Sequence, residues 1–211
     1  MMRRVFVFAF VAFALAAVPL TAQAPKGWKL RIDRSTSASD PDAAGNIKFM
    51  AMGSGFHATT PQAAVFWNPA NTAAGTYTLK GTFTLLAPSS HVNYYGLVFG
   101  GSELDGSGQN YLYFMVAQNG TWLLKHRTND GSTETVSQMS NAVVKKPDET
   151  GKSTNALEVR VKADMVDYVV NGTVVHSTPK TGLTAKTDGI YGFRVNHVLD
   201  VQIDGLAVSK S

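Results

Sequence analysis

The chain has 211 residues, a formal net charge of +4 and no cysteine. The missing thiols exclude disulfides, thiolate metal sites, a cysteine nucleophile and a lipid-modified amino-terminal Cys. So small a charge, with no block of Lys or Arg, is poor footing for a nucleic-acid binder, while the length suits one domain with a full core of its own.

In chain order, Met1–Arg4 is a short basic start, Val5–Leu20 is almost wholly apolar, and Thr21–Ala24 is small and polar. That order is a secretory signal peptide. The apolar run is shorter than the roughly 20 residues a membrane helix needs, and Pro19 interrupts its end; an uncleaved anchor is the alternative. Ala22-Gln23-Ala24 offers an A-x-A site followed by Pro25, so the expected cut falls after Ala22 or after Ala24. Removing residues 1–22 leaves 189 residues, and losing Arg3 and Arg4 takes the net charge from +4 to +2. No second hydrophobic span follows. The expectation is an exported protein, periplasmic or extracellular, with a single domain over residues 25–211 and no membrane span in the mature chain.

Beyond residue 25, helical periodicity is nearly absent. Short runs rich in Val, Ile, Tyr, Phe and Thr alternate with Gly, Asn, Asp, Ser and Pro, the pattern of an all-β chain. Strands are expected near Lys29–Ile32, Ile47–Ala51, Gly55–Thr59, Ala63–Trp67, Gly75–Leu85, Tyr94–Phe99, Tyr111–Ala117, Thr121–Arg127, Leu157–Ala163, Met165–Val170, Thr173–Ser177, Gly189–Val195 and Leu199–Ser209. So many short strands in one chain suggest a sandwich of two sheets. Gly100–Asn110 and Lys145–Asn155 are unusually polar and read as loops.

Asn-Gly-Thr occurs at Asn119 and at Asn171, and each triplet reads either as a glycosylation acceptor or as a hairpin turn. A two-residue turn at Asn119-Gly120 pairs Tyr113 with His126, Met115 with Leu124 and Ala117 with Trp122 on one face. It pairs Leu112 with Arg127, Phe114 with Lys125 and Val116 with Leu123 on the other. At Asn171-Gly172 the same exercise pairs Val170 with Thr173, Val169 with Val174 and Tyr168 with Val175, leaving Asp167 opposite His176 as a surface pair. Two sensible registers favour turns, because φ > 0 at both central positions selects Asn-Gly.

The succession NALEVRVKADMVDYVVNGTVVHS (residues 155–177) and DGIYGFRVNHVLDVQIDGLAVS (residues 188–209) resembles the concanavalin A-like lectin/glucanase superfamily. It is similar in particular to laminin-G-like domains and to the 3-keto-disaccharide hydrolase-like family of secreted bacterial proteins. YYGLVFGG (residues 94–101) and YLYFMVAQNGTWLLKHR (residues 111–127) fit the central strands of that family. The resemblance spans roughly residues 75–209 and implies a jelly-roll sandwich of two antiparallel sheets. Superfamily β-glucanases carry E-x-D-x-x-E on one strand; the nearest match here is Glu103-Leu104-Asp105 with Gly108 in the third place, inside a glycine-rich loop. No glucanase-type carboxylate pair is therefore expected.

Sugar recognition needs aromatic rings beside planar polar groups. The ligand-binding candidates are Tyr111, Tyr113, Trp122 and His126 on one face of the hairpin, Arg127 with Lys125 on the other, and Asn110 and Arg194. Which face is core stays open, and Trp122 also reads as a core aromatic. The loop ending at Asn110 would bring Glu103 and Asp105 towards Arg127, either as a polyol site or as an Arg127–Asp105 ion pair that pins the loop. Asp105, Ser107 and Gln109 alternate with glycines as a calcium loop does, and calcium supports loops in the superfamily; a plain connecting loop is the alternative, and no cofactor is required. Arg194-Val195-Asn196-His197 reads as a turn. The reading is a non-catalytic module for carbohydrate or another extracytoplasmic polymer. Two alternatives stand: a metal-assisted hydrolase or lyase of 3-keto-glycosides drawing on His126, His197, Asp200 and Glu103, and a surface protein assembling through strand edges. Intact-mass spectrometry of the exported protein should show the leader removed after Ala22 or Ala24; a full-length mass would mean an anchor.

Overall fold

The computed structural model describes residues 24–210 apart from 36, 37, 39, 130 and 131. The expected signal peptide lies outside the described residues. Fourteen strands follow in order: β1 Lys29–Ile32, β2 Lys48–Met52, β3 Gly55–Thr60, β4 Ala64–Ala73, β5 Tyr77–Ala87, β6 Tyr94–Ser102, β7 Asn110–Ala117, β8 Thr121–Thr128, β9 Ser132–Ser140, β10 Ser153–Val161, β11 Met165–Val170, β12 Thr173–Pro179, β13 Gly189–Val195 and β14 Leu199–Lys210. They form two antiparallel seven-stranded sheets, ordered β1-β4-β13-β6-β7-β8-β9 and β12-β11-β10-β5-β14-β3-β2. This is the two-sheet sandwich that the strand punctuation implies. The strand absent from the expectation is β9; its sequence STETVSQMS has few apolar residues because it closes one edge of its sheet.

The second sheet shows the plain alternation of a half-buried sheet. Tyr77, Leu79, Phe83 and Leu85 of β5, Leu157 and Val159 of β10, and Val201 and Ile203 of β14 point inward. In the first sheet, β6 and β7 are buried on both faces. Their inner face joins the main core through Tyr95, Leu97, Phe99, Leu112, Phe114 and Val116. Their outer face belongs to a second apolar cluster containing Val65, Trp67, Val98, Leu104, Tyr111, Tyr113, Met115 and Leu123. A sheet with apolar groups on its outer side needs something to cover them; that asymmetry places the site.

The β7–β8 hairpin corrects the expected register by one residue. Val116 pairs with Trp122, Phe114 with Leu124, Leu112 with His126, Tyr113 with Lys125 and Tyr111 with Arg127. The Gly120 amide donates to the Ala117 carbonyl (3.1 Å), and Gly120 lies at φ +87° while Asn119 is absent from the residues with positive φ. The loop is thus the three-residue kind, a tight turn followed by a left-handed glycine, and not a two-residue turn. A one-residue slip reverses every side chain. Tyr111 and Tyr113 therefore share the outer face with Lys125 and Arg127, while Trp122, 1% exposed, goes to the core.

At Asn171-Gly172 both central residues have positive φ, +49° and +84°, as a two-residue turn requires. Val170–Thr173 and Val169–Val174 pair as expected, but a bulge then sets Tyr168 against His176 and Asp167 against Ser177. Asp167 bonds Ser177 (2.7 Å) and Lys162 (2.5 Å) rather than His176. The Asn171 amide donates to the Val143 carbonyl (2.7 Å) and to Asn155 Oδ1 (2.9 Å), and its oxygen accepts from the Ala156 N–H (2.9 Å). Asn171→Ala takes this partner from the Val143 carbonyl and the Ala156 N–H, while Asn155 Oδ1 keeps the Lys145 N–H (2.8 Å), and it forces a non-glycine side chain without local hydrogen bonds into the left-handed region. Urea unfolding should show a loss of about 2–5 kcal/mol.

Candidate functional site

Asp33 follows β1, where its N–H donates to the Ala63 carbonyl (2.8 Å) and extends the ladder to β4. Its carboxylate turns into the outer side of the first sheet and meets Arg194 of β13, which is buried. The Tyr111 hydroxyl donates to Asp33 (3.2 Å) and accepts from Arg194 Nη1 (2.9 Å). Arg127 lies 3.5 Å and Arg31 3.9 Å from the same carboxylate. Arg194 Nε donates to Asn196 Oδ1 (3.2 Å), and its guanidinium carbon stands 5.3 Å from the Tyr113 ring centre, within cation–π range.

Charge balance explains the arrangement. Burial raises the Asp33 pKa, but the attraction and hydrogen bond of Arg194, with Arg127 and Tyr111 behind them, outweigh it and hold the carboxyl below its ordinary value of 3.8. Burial works against the charge on Arg194 and is likewise more than offset, by Tyr111 and Asp33. Burial pushes Tyr111 and Tyr113 upward, so both stay neutral hydroxyl donors.

Above this cluster the outer face opens into two adjoining hollows of about 230 and 330 Å³. They share Asp40, Asn93, Arg194 and Asn196. One extends over Asp33, Arg127 and His197, and the other over Tyr94, Tyr113, Met115, Leu123, Lys125 and Gln138. Lys125 is half-buried, and burial followed by repulsion from Arg194 lowers its pKa. At the far rim, His197 sits in the turn between β13 and β14, where Val198 takes φ +55°. Its ring meets Asp40 (2.9 Å), Asp42 (3.0 Å) and His91 (3.1 Å).

Among solved structures, a carbohydrate-binding module (CBM66) from Bacillus subtilis is similar over 88% of this chain and 96% of its own, with a TM-score of 0.62 and 11% identity. A protein of unknown function with a galectin-like fold, also from Bacillus subtilis, covers 88% and 90% at a TM-score of 0.60 and 16% identity. The chain has the jelly-roll β-sandwich fold. A family 7 alginate lyase solved with its substrate covers 88% of this jelly roll and 93% of its own chain at a TM-score of 0.51 and 17% identity. At such identities the likeness concerns the fold. No family profile and no curated protein matches the sequence.

Within the jelly roll, the expected ligand residues separate. Tyr113, Arg127 and Arg194 line the cleft, and Tyr111 lies beneath Arg194. Trp122 is in the core, and its ring centre is 5.2 Å from that of His176. Asn110 and His126 bond each other (3.1 Å) on the Leu112 side of the hairpin, away from the cleft. Asp105 pairs with Lys29 (2.7 Å), and Arg127 with Asp33, which corrects the expected Arg127–Asp105 pair. In the glycine-rich loop Asp105 and Ser107 are exposed and Gln109 is buried. Of the residues named for a hydrolase or lyase, His197 alone lines the cleft; Asp200 bonds His57 on the second sheet. Asp33, Asp40, His91, Asn93 and Asn196 did not stand out in the sequence as ligand groups.

Removing one partner of a buried ion pair strands the other, so Asp33→Ala should cost about 3–5 kcal/mol in urea unfolding. Because the folded pKa is depressed, Asp33 contributes fully above the unfolded value of 3.8 and loses its contribution as pH falls through the folded pKa. The variant's stability should accordingly change less than the parent's below about pH 4.

Proposed function

We propose that the protein is an exported module that binds carbohydrate without transforming it, and that its ligand is an acidic polysaccharide lying in the cleft on the outer face of the first sheet. One observation carries this reading. Lys125, half-buried beside Arg194, has no hydrogen-bond or ion-pair partner among the described residues. A lysine that gives up hydration without gaining a carboxylate is poised for an anion supplied from outside.

The surroundings suit a sugar chain. Tyr113, Met115 and Leu123 give an apolar floor against which a pyranose face can pack, and Asn93, Asn196 and Gln138 offer amides to its hydroxyls. Arg31, Arg127 and Arg194 surround the Asp33 carboxylate, and together with Lys125 they outnumber Asp33 and Asp40, so the cleft keeps a positive excess. The fold neighbours supply precedent: one is a carbohydrate-binding module, and one was solved as a lyase with its alginate substrate. The sequence has no E-x-D-x-x-E strand, which favours binding over glucanase chemistry.

Calorimetry with a polyuronate and with neutral dextran tests the reading. The polyuronate should bind without being shortened, more weakly as salt rises, and dextran should not compete. Lys125→Ala should weaken binding by about tenfold or more, the value of a charge-assisted hydrogen bond, with little change in melting temperature. Because its pKa lies below 10.5, Lys125 loses its charge earlier than an ordinary lysine as pH rises. Affinity should therefore fall on the alkaline side, and Lys125→Arg should remove that fall. Equal binding of dextran and polyuronate, untouched by Lys125→Ala, would refute the proposal.

A further inference from the structure

Asp40, His91 and His197 present their ligand atoms within 4.8 Å of one another. His91 Nε2 and His197 Nε2 are 3.1 Å apart, and Asp40 Oδ1 is 2.6 Å from the first and 2.9 Å from the second. These three atoms come from three separate places in the chain: the segment after β1, the loop before β6 and the β13–β14 turn. From these contacts we infer that Asp40, His91 and His197 form a binding site for a divalent transition metal, best fitted by zinc.

The tautomers support it. His197 Nδ1–H donates to Asp42 Oδ1 (3.0 Å), and the other Asp42 oxygen accepts from the Ser35 N–H (2.9 Å). A proton on Nδ1 leaves the Nε2 lone pair of His197 to face Asp40 and His91. Such a carboxylate behind a histidine is the usual support of a metal ligand, fixing its tautomer and raising its basicity. The Asn93 amide lies 3.0 Å from His91 Nε2 and donates to it, so that nitrogen carries a lone pair, which zinc would take over from the amide. Three acceptor atoms thus face one point. They need a proton or a cation between them.

The dimensions and chemistry select the cation. Zinc held at about 2.0–2.2 Å by nitrogen and oxygen separates neighbouring tetrahedral ligands by roughly 3.3 Å, so Asp40, now 2.6 Å from His91 and 2.9 Å from His197, need retreat by less than about 1 Å. Two imidazoles and one carboxylate suit zinc; calcium and magnesium prefer all-oxygen shells. His197 is 4% exposed and anchors the site, while Asp40 and His91 are half-exposed and leave a way in. Asp40 and His197 line the cleft, so a fourth position opens towards it. The assignment does not depend on what the cleft binds.

Zinc alone, titrated calorimetrically into tag-free protein with elemental analysis after desalting, tests it. One zinc per chain should bind, with a rise in melting temperature and with calcium unable to displace it. His91→Ala, at a half-exposed position, should leave the fold intact and abolish stoichiometric binding. Asp42→Asn should weaken it about 10- to 100-fold, and His57→Gln, outside the site, should leave it unchanged. Absence of stoichiometric zinc, or binding that survives His91→Ala or disappears with His57→Gln, would overturn the site. Parent affinity in Asp42→Asn would overturn the role given to Asp42.

Discussion

A guanidinium withdrawn from water has to keep a carboxylate beside it. Arg194 is such a group, on a strand with neighbours on both sides, and Asp33 answers it from the end of an edge strand. The consequence reaches well past one ion pair. Fixing Asp33 fixes where the chain leaves β1, and Ser35 and Asp40 beyond it line the same hollow. Ser35 donates to the Asp40 carbonyl (2.6 Å) and to the Asp42 carboxylate, and both aspartates then reach His197. The cleft wall and the histidine cluster are therefore two ends of one segment, tied down by the same charge.

That segment also explains why the outer face of the first sheet tolerates aromatic residues. Tyr111 and Tyr113 would be costly to leave bare. Beside Arg194 they become a platform: the Tyr111 hydroxyl completes the polar network, and the Tyr113 ring lies within cation–π range of the guanidinium. In the second sheet, by contrast, the outward positions of β5 and β10 are mostly threonines, a lysine and the charged pair Glu158–Arg160 (2.7 Å).

The alternation of β5, β10 and β14 is plain in the sequence, because each strand has one wet face and period-two patterning then suffices. The β7–β8 hairpin is not so transparent. Asn-Gly serves a two-residue turn and a three-residue turn alike, and the choice rests on the φ of Asn119, which no neighbouring side chain announces. With apolar residues on both faces of β7, the hydrophobic pattern cannot correct a slip. The histidine cluster is harder still: Asp40 and His197 are 157 residues apart, and the local hints, aspartates two apart and His91 two before Asn93, are shared by many ordinary loops. Arg194 was visible as a polar residue in an apolar strand, but its partner was not.

The positions of β13 and β14 have a kinetic consequence. The last strands of the chain are inserted between β4 and β6 in one sheet and between β5 and β3 in the other. Neither sheet can become continuous until residues 189–210 have been supplied, and the contacts they make close very long loops, which slows folding. Until β13 and β14 are in place, β4 lacks its neighbour towards β6 and β5 lacks its neighbour towards β3, so both sheets are completed by the same stretch of chain.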